Sequence, residues 1–148
     1  MKIADFLSPG DAMIDVAAAD KQKLLAALAR KAGAVLDVLP EHILAELQKR
    51  EDLGSTGVGG GVALPHARFH QVGKPIGMLV RLRKPIDFEA VDGEPVDIVF
   101  LLLLPETPDG EQLGALALIA RKLRKPEITA ALREARDGSE MYRTLASE

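Results

Sequence analysis

The run Ile98-Val-Phe-Leu-Leu-Leu-Leu104 is apolar at every position. A half-exposed strand would alternate polar and apolar residues, so an unbroken run of this length predicts a strand covered on both faces. Such a strand needs a layer above it and another below, and the flanking sequence predicts the helices to build them. Asp20 is placed to cap a helix whose apolar positions are Leu24, Leu25, Leu28, Ala32 and Val35. Pro40 suits the first turn of a second helix, with Ile43, Leu44 and Leu47 on one face, running through Arg50 and Glu51 until Gly54 stops it. Ile76, Met78, Val80 and Leu82 recur at the period of a strand, and Ile86 to Val91 and Val96 to Leu104 flank Asp92-Gly93, a hairpin signal. Helical spacing returns with Leu113, Leu116, Ala117, Ala120 and Leu123. Pro126 starts a short helix through Ile128 and Leu132, and Ser139 is placed to cap a last one containing Met141, Tyr142 and Leu145. The expectation is an α/β fold, a mixed β-sheet covered by helices on both faces, forming a single domain over residues 1–148.

Composition narrows the function classes. The chain has no cysteine, which removes disulfides, thiol catalysis and cysteine-based zinc sites. Nineteen basic against 22 acidic residues leave a net charge of −3, without the concentrated basic face that nucleic-acid binding requires. No segment approaches the roughly 20 apolar residues of a membrane helix. The start, Met1-Lys2-Ile3-Ala4-Asp5, lacks the layout of a signal peptide. The chain reads as soluble and cytoplasmic, with no membrane insertion.

Chemistry concentrates in one segment. Residues 54–61 hold five glycines in eight positions and lead into Val62-Ala63-Leu64-Pro65-His66. Glycines let backbone N–H groups converge on an anion; the bland alternative is a flexible turn. The segment is not a nucleotide loop: Val62 stands where a P-loop needs lysine, and a helix precedes the glycines where a dinucleotide site needs a strand. His66 supplies a nucleophile, because imidazole near its reference pKa of about 6.5 keeps a lone pair at neutral pH. Among the other histidines, His70 has a metal-chelating spacing from His66 on a helix, but it lies in a segment read as extended and lacks a third ligand nearby; His42 reads as a surface residue. No metal or other cofactor is expected.

Two long motifs in order carry a resemblance. Leu53-Gly-Ser-Thr-Gly-Val-Gly-Gly-Gly-Val-Ala-Leu-Pro-His-Ala67 is similar to the phosphorylation-site signature of the fructose/mannitol-type IIA domains of the bacterial phosphotransferase system. Pro85-Ile-Asp-Phe-Glu-Ala-Val-Asp-Gly-Glu-Pro-Val-Asp-Ile-Val-Phe100 and the helical stretch Leu113 to Leu123 agree with it. Within the family the chain most resembles the nitrogen-regulatory IIA proteins (IIA-Ntr). The resemblance implies a phosphotransferase component: His66 accepts a phosphoryl group from a histidine carrier protein of the HPr type. Regulatory members then act on targets such as potassium transporters or sensor kinases. It also implies that Arg50 lies at the active site, and that Ser55, Thr56 and Gly57 bind phosphate. Phosphoryl transfer is mostly positioning and charge stabilisation, and a guanidinium fork suits the equatorial oxygens. Outside the resemblance, Arg50 is simply a cation complementing the end of a helix dipole.

One position departs from the family pattern. Gln112 stands where the family commonly has a second active-site histidine. Its amide can donate a hydrogen bond to phosphate but cannot become a cation; alternatively, Asp109-Gly-Glu-Gln112 has the spacing of a capping box. A non-catalytic regulatory binding module with slow or lost phosphorylation, or a sugar-specific IIA component, therefore stands beside the active carrier as an alternative. The sequence leaves the phosphorylated ring nitrogen and the oligomeric state open.

Overall fold

The computed structural model describes residues 1–107 and 110–147. Short 3-10 turns at Ile3–Asp5 and Pro9–Asp11 lead into β1 (Ala12–Val16), then α1 (Lys21–Leu36) and α2 (Pro40–Asp52). Three short strands follow, β2 (Gly57–Gly59), β3 (Val62–Ala63) and β4 (His66–Phe69), and then the long pair β5 (Ile76–Ile86) and β6 (Val96–Pro105). The chain closes with α3 (Gly110–Leu123), α4 (Pro126–Glu134) and α5 (Gly138–Ala146). The sheet is six-stranded and mixed, in the order β1-β5-β6-β3-β2, with β4 also on β6.

As the apolar run requires, β6 is covered on both faces. Val99, Leu101 and Leu103 join the core under α1 and α2 with Leu24, Leu28, Ile43 and Leu47. Ile98, Phe100, Leu102 and Leu104 join the core under α3, α4 and α5 with Ala115, Ile119, Leu132, Met141 and Leu145. Alternate side chains of one strand thus feed two separate cores, which is what period-2 geometry dictates. Asp20 caps α1 by accepting the Lys23 N–H at 2.8 Å, and Pro40 occupies the first turn of α2. No helix among the described residues is long and apolar enough to cross a membrane.

Several local expectations are corrected. β1 has no counterpart in the sequence reading, because a register irregularity between Met13 and Val16, with Asp15 at φ 62, breaks its alternation. Residues 87–91 are not a strand. β5 ends at Ile86, and a loop over residues 87–95 buries Phe88 and turns at Gly93 (φ 75), whose N–H donates to the Ala90 carbonyl at 2.9 Å. The buried face of α3 is Ala115, Ile119 and Leu123, while Leu113 and Ala117 are exposed; Val35 of α1 is exposed as well. The cap of α5 is Asp137, which accepts the Glu140 N–H at 2.8 Å, and Ser139 lies inside the helix.

Two glycines test the packing in opposite directions. A Cβ at Gly138 would lie 2.0 Å from the Ala12 carbonyl oxygen, whereas one at Gly114, on the exposed side of α3, would meet nothing within 4 Å. Gly138→Ala is expected to destabilise the protein by about 1–3 kcal/mol, and Gly114→Ala to stabilise it by about 0.5–1 kcal/mol. Urea unfolding of the two variants beside the parent checks both signs.

Candidate functional site

β3 and β4 run along the same edge of β6, with Val62 opposite Ile98 and His66 opposite Leu102, and they are separated by Leu64-Pro65. The backbone groups in that gap are accounted for one by one. The Leu64 N–H donates to the Thr56 carbonyl at 3.0 Å, and the Pro65 carbonyl accepts the Leu102 N–H at 3.0 Å. The Leu64 carbonyl is left for a side chain: His66 Nδ1 lies 2.8 Å from it. A carbonyl only accepts, so Nδ1 carries the ring proton and Nε2 keeps the lone pair.

Nε2 faces Arg50, whose Nε–H donates to it at 3.4 Å, while Arg50 Nη1 donates to the Gly54 carbonyl at 2.8 Å. The last turns of α2 therefore bring Arg50 to His66 across 16 residues of sequence. His66 is half-buried, and burial holds its pKa below the ordinary 6.5. The Leu64 carbonyl and the Glu51 carboxylate pull upward, and Arg50 and Arg68 push further down. The ring is accordingly a neutral nucleophile at pH 7.

The histidine opens into a cleft of about 370 Å³ between α2, β4 and α3. Arg50, Arg68 and Lys49, the last paired with Glu46 at 3.6 Å, supply charge to its walls, and Leu53, Leu104, Leu113 and Leu116 supply apolar surface. Leu53 is 84% exposed and Leu113 46% exposed, both on the rim. Arg68 was accessible to sequence reasoning, since residues two apart on a strand share a face with each other and so with His66.

The glycine segment serves a different purpose from an anion cradle at His66. Gly59, Gly60 and Gly61 (φ 104, 67 and 80) make the tight reversal between β2 and β3. That reversal precedes His66 by a full strand and its break, about 13 Å of extended chain from Val62 onward. The Gly60 N–H is occupied: it donates to Asp92 Oδ2 at 3.0 Å and, with the Glu94 N–H, holds that carboxyl below its usual range. Arg133 Nη2 donates to the Gly60 carbonyl at 2.8 Å while its Nε donates to Asp97 at 2.9 Å. A Cβ at Gly61 would push that guanidinium aside, and the φ of 80 favours glycine there.

The residues read as phosphate ligands divide in the same way. Arg50 is at His66. The Thr56 hydroxyl is buried and donates to Glu51, and the Ser55 hydroxyl donates to the Phe88 carbonyl at 2.8 Å and accepts the Gly57 N–H at 3.0 Å. The Gly57 carbonyl accepts the Val91 N–H at 2.9 Å, and a Cβ on Gly57 would meet Ala90 at 2.8 Å. In this structure Ser55 and Gly57 tie the segment after α2 to the β5–β6 loop, Thr56 ties it back to Glu51 of α2, and none of the three lines the cleft. The side chain of Gln112 and the proposed box start at Asp109 lie outside the described residues. His70 is exposed, the ring of exposed His42 packs edge-on against Phe69, and no group of three or more His, Asp or Glu able to hold a metal occurs among the described residues.

Three comparisons bear on this arrangement. The family model for the phosphoenolpyruvate-dependent sugar phosphotransferase system, EIIA 2, matches residues 5–148. A nitrogen regulatory protein of Bradyrhizobium diazoefficiens is 42% identical over 146 residues, covering 99% of this chain and 95% of that protein. The crystal structure of the nitrogen regulatory protein IIA-Ntr from Neisseria meningitidis superposes with a TM-score of 0.91 at 32% identity, covering 97% of this chain and 98% of that one. The Escherichia coli IIA domain for mannitol, solved in complex with its phosphorylated IIB partner, shares the fold with a TM-score of 0.78 at 17% identity, covering 97% of this chain and 100% of that one.

The depressed His66 pKa has a stability consequence. Stability contributed by keeping the ring neutral is fully present above the unfolded-state pKa of about 6.5 and is lost as pH falls through the lower folded value. The urea midpoint should therefore fall more steeply on acidification below about pH 6.5 in the parent than in His66→Gln. Equal slopes would show that the ring titrates as it does in the unfolded chain.

Proposed function

Because this chain belongs to the EIIA type 2 family of the phosphoenolpyruvate-dependent sugar phosphotransferase system, we propose that it is a phosphocarrier that takes a phosphoryl group on His66 Nε2 from an HPr-like phosphohistidine protein and regulates partner proteins according to its phosphorylation state. The observation that carries this reading is the Nε2 lone pair, presented in an open, cation-lined cleft while Nδ1–H is fixed on the Leu64 carbonyl.

In the transfer, Nε2 attacks phosphorus, the new N–P bond forms, and the bond from phosphorus to the donor's ring nitrogen breaks with its electron pair returning to that ring. Arg50 begins on the lone pair that must attack, so its guanidinium moves from Nε2 onto the equatorial oxygens as they approach. Positive charge developing on the His66 ring is met by the Leu64 carbonyl through the Nδ1–H bond. Lys49 and Arg68 attract an anionic reacting group, and exposed Leu53 and Leu113 offer the apolar rim on which a protein donor docks.

The regulatory branch is favoured over a sugar-specific component by similarity to proteins named nitrogen regulatory protein along almost their whole length. Potassium transporters and sensor kinases are the target classes this branch implies. A second reading, a binding module in which phosphorylation is slow, is favoured by a specific residue: Gln112 supplies an amide where the family's second histidine would supply a cation.

Mixing the protein with phosphoenolpyruvate, the upstream enzyme and the HPr-like carrier tests the proposal. The expected result is an acid-labile mass gain of one phosphoryl group that is absent in His66→Ala. Arg50→Ala should slow the gain by about 100-fold. No gain in the parent, or an undiminished gain in His66→Ala, would overturn the carrier reading. The slow-module reading requires Gln112→His to raise the rate, and an unchanged rate removes its basis.

A further inference from the structure

Glu51 is the one charged side chain buried among the described residues, and the transfer chemistry above makes no direct use of it. Its position is electrostatically awkward, because an acid in the last turn of α2 opposes the helix dipole. Its partners explain how it is tolerated. The carboxylate, 1% exposed, takes a salt bridge from Lys21 Nζ at 3.0 Å, the Thr56 N–H at 3.0 Å and the Thr56 hydroxyl. Lys21 in turn stands 4.5 Å over the Phe88 ring and 3.7 Å from the Glu89 carboxylate. The start of α1, the end of α2 and the segment after it meet at this one group, and the β5–β6 loop joins through Lys21.

Arg50 is the adjacent residue. Successive side chains on a helix diverge by about 100°, so Arg50 turns into the cleft while Glu51 turns into the interior. Arg50 holds two points: His66 Nε2, and the Gly54 carbonyl two residues before Thr56. Anchoring Glu51 to Thr56 closes the chain from 51 to 56 into a short loop, and Gly54 lies within it. Gly54 has φ 147, a conformation that favours glycine and adds no rigidity of its own. The Gly54 N–H is held on the Glu51 carbonyl at 3.0 Å and the Ser55 hydroxyl on Phe88, and the buried carboxylate closes the far end of the loop at Thr56.

Resting on the phosphoryl-acceptor reading of His66, we propose that Glu51 is a positioning residue for the transfer: clamped by Lys21 and Thr56, it holds the end of α2 and the Gly54 carbonyl so that the Arg50 guanidinium lies across His66 Nε2. Glu51 touches neither the donor nor the phosphoryl group and acts through Arg50.

The test compares the parent, Glu51→Gln and Lys21→Met in two measurements. One is the phosphorylation rate as a function of HPr-like donor concentration. The other is the NMR signal of the Arg50 side-chain Nε–H, which is resolved and slowly exchanging while it is held against the imidazole. In both variants the saturated rate should fall by about 10- to 100-fold, the donor concentration for half-saturation should be unchanged, and the Arg50 signal should merge with those of solvent-exposed arginines. A folded Glu51→Gln with the parent's rate and Arg50 signal would overturn the proposal, as would a rate loss matching only the unfolded fraction. If Glu51→Gln does not fold, Lys21→Met carries the same expectations and the same refutation. If the parent itself takes no phosphoryl group, the carrier reading fails, while the Arg50 signal, which needs no phosphorylation, still decides the positioning.

Discussion

The site depends on a gap in one strand. Between β3 and β4 the bonding to β6 continues only through the Pro65 carbonyl, while Leu64 turns its backbone the other way, its N–H donating to the Thr56 carbonyl. The Leu64 carbonyl finds its partner in the ring of His66, 2.8 Å away. That single bond fixes the imidazole's tautomer and leaves the opposite nitrogen as the only lone pair. The nitrogen proposed to react is thus set by one backbone carbonyl two residues before the ring.

The second constraint is the two-sided burial of β6. Because its alternate side chains feed different cores, helices must lie on both faces, and α2 from one layer and α3 from the other approach the same edge at β4. The cleft forms there, with cations from α2 and β4 and exposed leucines from both helices. Burial and neighbouring cations keep the imidazole neutral, and the same cations suit an incoming anion. Behind the cleft, the buried Glu51 carboxylate ties three segments together at the residue next to Arg50.

Much of this was legible in the sequence, for identifiable reasons. The apolar run from Ile98 predicts the central strand, Asp20 and Pro40 predict the helix starts, and the motif around His66 predicts the family. What was not legible depends on long-range pairing. The Gly59–Gly61 segment looks like an anion cradle on composition, yet its Gly60 N–H goes to Asp92, and Arg133 from a distant helix packs against it. Ser55 and Thr56 look like phosphate donors, yet their hydroxyls are given to Phe88 and Glu51. β1 was hidden by Asp15, whose left-handed conformation breaks the alternation. Helical spacing puts Leu113 on a face with Leu116 and Ala117 but does not give that face its direction; here Leu113 lies on the cleft rim. The pairing of Arg50 with His66 was expected only through the resemblance, since residues 16 apart carry no local signal of contact.

The central claim is that Nε2, not Nδ1, is the reacting nitrogen. Nitrogen-15 labelling of the histidines, followed by phosphorus-coupled NMR of the phosphorylated protein, reads this directly. The account predicts that phosphorus couples to Nε2 of His66 and that Nδ1 keeps a proton bonded to the Leu64 carbonyl. Coupling to Nδ1, or to a nitrogen of His42 or His70, would contradict it.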